Sequence, residues 1–270
     1  MIDQNPERQF EYLYIGTIHP LAMGLWMKQV EAIAVILVGE DTLHCTVSLH
    51  AALSRIHVKV CSDKQVLDIP TLTNTITGFI EDQISFLGFI EGCGYAVELT
   101  DLIRITEGIS EILGVNVPVI ANKEKSLTFD EVRAASQGSL GSQIARSIRD
   151  FNFAMRVARD SAFYCFRALE RIKTYFVVAD KLTEPKAWEK FRIITNSEKD
   201  TINRIIKDFA DFERHGQTYV GTPSERMNIL QLTHDLLERL VHYNLTRLPE
   251  GKVDLNNYIE DILTRKEIKN

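Results

Sequence analysis

The chain has 270 residues, 45% hydrophobic and 25% charged, with a formal net charge of −6. That composition is ordinary for a globular protein, so disorder is not the default reading. The longest apolar run, Ala32 to Val38, falls well short of the roughly 18–20 residues a membrane-spanning helix needs, and the acidic opening Met1-Ile2-Asp3-Gln4-Asn5-Pro6-Glu7 is unlike a secretory signal, so a cytoplasmic location and no membrane association are expected.

The charge is uneven. Residues 1–122 hold 6 Lys+Arg against 15 Asp+Glu, a balance of −9, and residues 123–270 hold 25 against 22, a balance of +3. The second half is the one suited to a polyanion. Cys45, Cys61, Cys93 and Cys165 stand far apart with no C-x-x-C pair, which implies reduced thiols and no zinc site.

In chain order, residues 11–18 are rich in β-branched and aromatic types and predict a strand. Residues 30–38 predict a second, whose continuous apolar run implies burial on both faces. Residues 42–50 alternate through Leu43, Cys45, Val47 and Leu49, and residues 55–61 through Ile56, Val58 and Val60. The period then lengthens: Ile76, Phe79, Ile80, Ile84, Leu87 and Ile90 recur at three and four, predicting a helix from about Thr71 to Ile90, opened by Pro70 and capped by Thr71. Gly92-Cys93-Gly94 ends it, and residues 95–104 return to strand.

Small residues and glycines over 123–145, including Ala134, Ala135, Gly138 and Gly141, mark a boundary segment, in which Thr128-Phe129-Asp130-Glu131 opens a short helix. Beyond it the pattern is helical: Ile144 to Asp180 as one long helix, then Lys186 to Ile194, Ser197 to Glu213 and Ser224 to Arg247. The expected fold is α+β, an N-terminal twisted sheet with one packed helix followed by an all-α helical bundle. The expected domains are an α+β partner- or ligand-recognition domain over 1–122, the boundary at 123–145, a bundle over 146–248 and a polar helical tail over 249–270.

Three features of the second half stand out: the aromatic segment Ser161-Ala162-Phe163-Tyr164-Cys165-Phe166-Arg167, the Trp-centred Ala187-Trp188-Glu189-Lys190-Phe191, and the helix end Asp208-Phe209-Ala210-Asp211-Phe212-Glu213-Arg214-His215-Gly216. Over about residues 145–248 this arrangement resembles the HEPN superfamily of helical-bundle domains. The resemblance implies a homodimer formed through the helical half, RNA as a partner, and a prokaryotic defence or toxin-like setting. It also implies that active members cleave RNA without metal, using an arginine and a histidine separated by four to six residues. Here Arg214 and His215 are adjacent, so the chain departs from that pattern.

Arg214 and His215 are nonetheless the candidate catalytic residues, since histidine moves protons near neutral pH and arginine stabilises charge on a phosphate under attack. On a regular helix Asn203, Lys207 and Ala210 share the side of Arg214, and with Tyr219 they form a candidate RNA or dimer contact. The alternative for Arg214 is a helix end with Gly216 as terminator. Arg156, Arg167 and Arg171 share one side of the long helix and form a second candidate contact, or pair with Asp160 and Glu170.

His234, Glu238 and His242 follow at four-residue steps, but the two histidines lie about 12 Å apart along the axis, too far for one ion. His44, His50 and His57 lie on polar strand faces without carboxylate or cysteine at ligand spacing. There is no phosphate loop, dinucleotide fingerprint or serine elbow, so no metal and no cofactor is expected. The leading expectation is a HEPN-like dimerising assembly and binding protein linked to RNA, with a protein partner or ligand for residues 1–122. The alternatives are a HEPN-type endoribonuclease with Arg214 and His215 in a composite dimer site, and a nucleotide or small-molecule sensor.

Overall fold

The structure, a computed structural model, describes residues 9–38, 41–113, 117–215 and 222–246. The chain divides into two compact units, residues 1–114 and 115–270. It is an α+β protein, an antiparallel sheet followed by helices. Tyr219, the 249–270 tail and Gly216 lie outside the described residues.

The first unit contains β1 (Phe10–His19), β2 (Met27–Val38), β3 (Asp41–Ala52), β4 (Arg55–Ser62), α1 (Ile69–Glu91), β5 (Ala96–Arg104) and β6 (Ile109–Ile112). The six strands form one antiparallel sheet in the order β2-β3-β4-β1-β5-β6. The alternation in β3 and β4 works as the sequence predicts: Leu43, Val47, Leu49, Ile56, Val58 and Val60 are buried, and they share a core with Leu72, Ile76, Ile80 and Ile84 of α1. Tyr12 and Tyr14 of β1 are buried there too, and each keeps its hydroxyl occupied: Tyr12 accepts from the Val66 N–H at 2.9 Å, and Tyr14 lies 3.3 Å from the Thr73 hydroxyl. At Gly16 the pairing with β5 shifts register, and a Cβ there would lie 2.3 Å from the Glu98 carbonyl oxygen, so only glycine lets the two strands close.

Three expectations change. Asp68, not Thr71, caps α1, its carboxylate accepting from the Thr71 N–H at 3.1 Å and hydroxyl at 2.7 Å. β2 is not buried on both faces: it is an edge strand, with Ile33 88% and Val35 60% exposed. β6, four mostly exposed residues paired to β5, extends the sheet beyond the expected strands.

The second unit contains α2 (Pro118–Ala121), α3 (Phe129–Ala135), α4 (Gly138–Arg156), α5 (Ser161–Ala179), α6 (Glu184–Thr195), α7 (Lys199–Ile202), a π-helical turn (Asn203–Lys207), α8 (Asp208–Arg214) and α9 (Pro223–Asn244). Thr128 and Glu131 form a capping box on α3, and Thr222 and Glu225 form one on α9. The core runs through Leu169, Ile172 and Phe176 of α5, Phe191 of α6, Ile205 and Ile206 of the π turn, and Leu236 and Leu240 of α9.

The 123–145 segment is part of this unit rather than a boundary. Ala135 is buried, and a Cβ on Gly141 would lie 2.6 Å from the Ala135 carbonyl oxygen, so the small residues serve close packing of α4 on the end of α3. The long helix expected from Ile144 to Asp180 is two antiparallel helices. α4 stops at Arg156, where Val157 is extended, and the freed carbonyls are satisfied locally: the Ser161 hydroxyl donates to Ala154 O at 2.8 Å, and Arg226 Nη2 donates to Met155 O at 2.8 Å. Arg156 therefore does not share a helix face with Arg167 and Arg171.

A basic, aromatic-floored cleft in the helical unit

The helix expected over 197–213 is interrupted by the π turn, so the straight stripe through Asn203, Lys207, Ala210 and Arg214 does not form as such. Ala210 is fully buried. Asn203, Lys207 and Arg214 do meet, in a cleft of about 480 Å³ bounded by α5, α6 and the α7–π–α8 segment. Lys173, Arg192 and Lys199 complete its basic wall; against these five cationic side chains stand the carboxylates of Glu170 and Glu184 in the lining and of Asp211 paired with Arg214, a surplus of two positive charges.

The floor is aromatic. Phe166 and Trp188 stack with centroids 6.1 Å apart at 20°, and Trp188 meets Phe191 edge-on at 5.6 Å. The Arg214 guanidinium lies 5.4 Å from the Phe166 ring centroid, and its Nη1 donates to Asp211 Oδ1 at 3.1 Å. Two contacts thus fix a side chain that would otherwise sweep a large volume. Lys173 is only 7% exposed, and its ammonium donates to Glu184 Oε1 at 3.0 Å while Glu184 stands largely in solvent. His215 is exposed and is not among the residues lining the cleft. Its backbone N–H closes the end of α8 on Asp211 O and Phe212 O, both at 3.2 Å.

Arg167 and Arg171 are brought together elsewhere. Both converge on Asp150 of α4, which is almost wholly buried: Arg167 Nη2 donates to Oδ1 at 2.5 Å, and Arg171 Nε donates to Oδ2. Asp150, not Asp160 or Glu170, is their ionic partner. They line a second cleft of about 410 Å³ with Gln143, Thr174 and Tyr175. Arg156 is exposed at the end of α4 and lines neither cleft.

His234 and Glu238 belong to a third cluster. The ligand atoms of His234, Asp235 and Glu238 lie within 4.8 Å of one another, but the Lys123 ammonium donates to Asp235 Oδ1 at 3.0 Å and to Glu238 Oε2 at 2.8 Å. Ser126 donates to Glu238 Oε1 and lies 3.1 Å from His242 Nε2. Burial opposes the charge on Glu238, yet the hydrogen bonds from Lys123 and Ser126 hold its carboxyl below the ordinary value. This cluster clips the connection before α3 onto α9. In the sheet, His50 and His57 are direct cross-strand partners.

The sequence singles out Arg214, Lys207 and Asn203 but misses Lys173, Arg192 and Lys199. These come from separate elements and share no spacing; the surplus of positive charge in the second half is the one signal that bears on them.

No curated protein and no solved structure matches the chain. Residues 12–113 match a family description, "Domain of unknown function (DUF8168) N-terminal domain", and residues 129–245 match "Domain of unknown function (DUF8168) C-terminal domain". In chain order, the protein matches both domains of the DUF8168 family over most of its length.

Proposed function

We propose that the helical unit is a HEPN-like assembly module that binds RNA through the cleft around Arg214. The observation that carries this reading is the surplus of two positive charges around the Phe166–Trp188 floor. Lysine and arginine neutralise phosphates and release counterions, and a half-exposed indole offers a face on which any base can stack. Homodimerisation through the same half and a place in a prokaryotic defence or toxin-like system belong to this reading.

Binding is favoured over cleavage because Arg214 lines the cleft and His215 does not. A cleaving site would need a second copy to bring a histidine to Arg214. The test is fluorescence anisotropy of a labelled single-stranded RNA, read alongside a metal-free cleavage gel. Lys207→Ala should weaken binding across sequences and reduce the slope of log affinity against log salt by about 1. Arg214→Ala should weaken it as much or more. RNA that stays unbound at low salt, or that binds the Lys207→Ala/Arg214→Ala double variant as tightly as the wild type, refutes the reading. Cleavage lost in both Arg214→Ala and His215→Ala would replace it with the endoribonuclease.

A further inference from the structure

Arg156, which lines neither cleft, has other company on α4. Counting about 100° per residue, Arg146, Phe153 and Arg156 fall within about 60° of Arg149, and the buried Ile144, Ser147, Phe151 and Ala154 fall about 140–160° from it. The face turned away from the core therefore carries three arginines, all exposed, over about 15 Å of helix. Phe153, 39% exposed, sits among them with its ring stacked on Tyr164 of α5, centroids 5.6 Å apart at 26°.

These three charges are uncommitted. Asp150 is the sole acidic residue of α4, and it is buried and taken by Arg167 and Arg171 of α5. Among the described residues no carboxylate pairs with Arg146, Arg149 or Arg156. Residues 138–168 hold five arginines against two aspartates, a balance of +3, so the face stays basic with Asp150 and Asp160 both counted. Arg146 and Arg149 stand three residues apart with like charge, an arrangement that costs helix stability until an anion bridges it. A guanidinium grips phosphate with two parallel donors. An RNA strand supplies phosphates at regular intervals and a base for the open part of the Phe153 ring, whereas an acidic protein surface supplies the charge alone.

We propose that the exposed face of α4 is a second RNA contact, where Arg146, Arg149 and Arg156 hold the phosphates of a single strand and Phe153 stacks on one of its bases. This rests on the RNA-binding reading and adds a contact surface outside the cleft. The recognition is of backbone and ring face, so it carries no sequence preference.

The test is anisotropy of a labelled single-stranded RNA on the full chain, read across salt concentrations. Arg149→Gln/Arg156→Gln should weaken binding about tenfold and lower the slope of log affinity against log salt by about 1.4, about 0.7 for each lost phosphate contact. Phe153→Leu keeps an apolar side chain against Tyr164 but offers no ring, and should weaken binding about threefold or more with the slope unchanged. Lys181→Gln/Arg204→Gln removes the same charge from exposed positions off α4 that line neither cleft, and should change binding by less than about twofold. If Arg149→Gln/Arg156→Gln behaves like this control while Lys207→Ala weakens binding, the face is merely solvated and the cleft acts alone. Self-association lost in the arginine variant with RNA binding unchanged would make the face a protein contact and overturn the proposal. If the wild type binds no RNA, the RNA-binding reading has failed and this surface with it.

Discussion

Asp150→Asn isolates a buried electrostatic cluster of the helical unit. The carboxylate is 4% exposed and receives both Arg167 and Arg171. The amide keeps the shape but removes the charge, so two guanidinium groups face each other across a neutral side chain. Breaking a buried ion pair costs about 3–5 kcal/mol. Each arginine side chain is 35% exposed, so solvent recovers part of that, and about 2–3 kcal/mol is expected. For a unit of this size the loss corresponds to a fall in Tm of about 4–12 °C. The assay is urea and thermal unfolding followed by Trp188 fluorescence in a Trp26→Phe background, Trp26 being exposed in the other unit. Asp180→Asn, which breaks the surface pair with Lys190, is the control and should cost about 0–1 kcal/mol. A loss for Asp150→Asn no larger than that of the control would refute the argument that burial makes this pair costly to break.

Gly16→Ala should destabilise the first unit by about 1–3 kcal/mol, since its Cβ meets the Glu98 carbonyl at 2.3 Å, whereas Gly94→Ala, with nothing within 4 Å, should change little; urea midpoints of the two variants test this. Thr222→Ala removes the α9 capping box and should cost about 1 kcal/mol by the same measurement. The Lys123–Glu238 contact predicts a pH signature. The Glu238 carboxyl is lowered from 4.5 when folded, so its contribution is present above about pH 4.5 and is lost as pH falls through the folded value. Lys123 is raised above 10.5 by Glu238 and Asp235 against the effect of burial, so its contribution is present below about pH 10.5 and lost above the folded value. Wild type minus Lys123→Met stability, measured from pH 3 to 7, should therefore shrink toward the acid end, and a flat difference would contradict the assignment.

Much of the fold was legible because period reports burial. The switch from two to three-and-four, read from about Thr71, reflects strands giving way to a helix that begins at Ile69 and must lay one stripe on the sheet. The break between α4 and α5 was hidden because no glycine or proline marks it. Its carbonyls are satisfied by Ser161 and by Arg226, which is 65 residues further along the chain from Ser161. The π turn was hidden for a related reason: Ile202, Ile205, Ile206 and Phe209 fit a regular helix by count. For the site, residues on one element could be paired by spacing, which is why Lys207 and Arg214 were found. The walls contributed by α5 and α6 exist only after packing, and no one-dimensional pattern encodes them.

The edge formed by β2 bears on how this protein behaves in concentrated solution. From Ala32 to Val38 the strand has no charge and no proline, and its register shift with β3 lies earlier, between Met27 and Val30. Natural sheets blunt such edges with lysine, proline or a bulge, because unpaired N–H and C=O groups template another chain. This uncharged run of seven, with four β-branched residues (Ile33, Val35, Ile36 and Val38), also resembles the signature of fibril-forming segments. With Ile33 in solvent, the first unit carries its own route to edge-to-edge aggregation, and Ile33→Lys would place a gatekeeper charge at its centre.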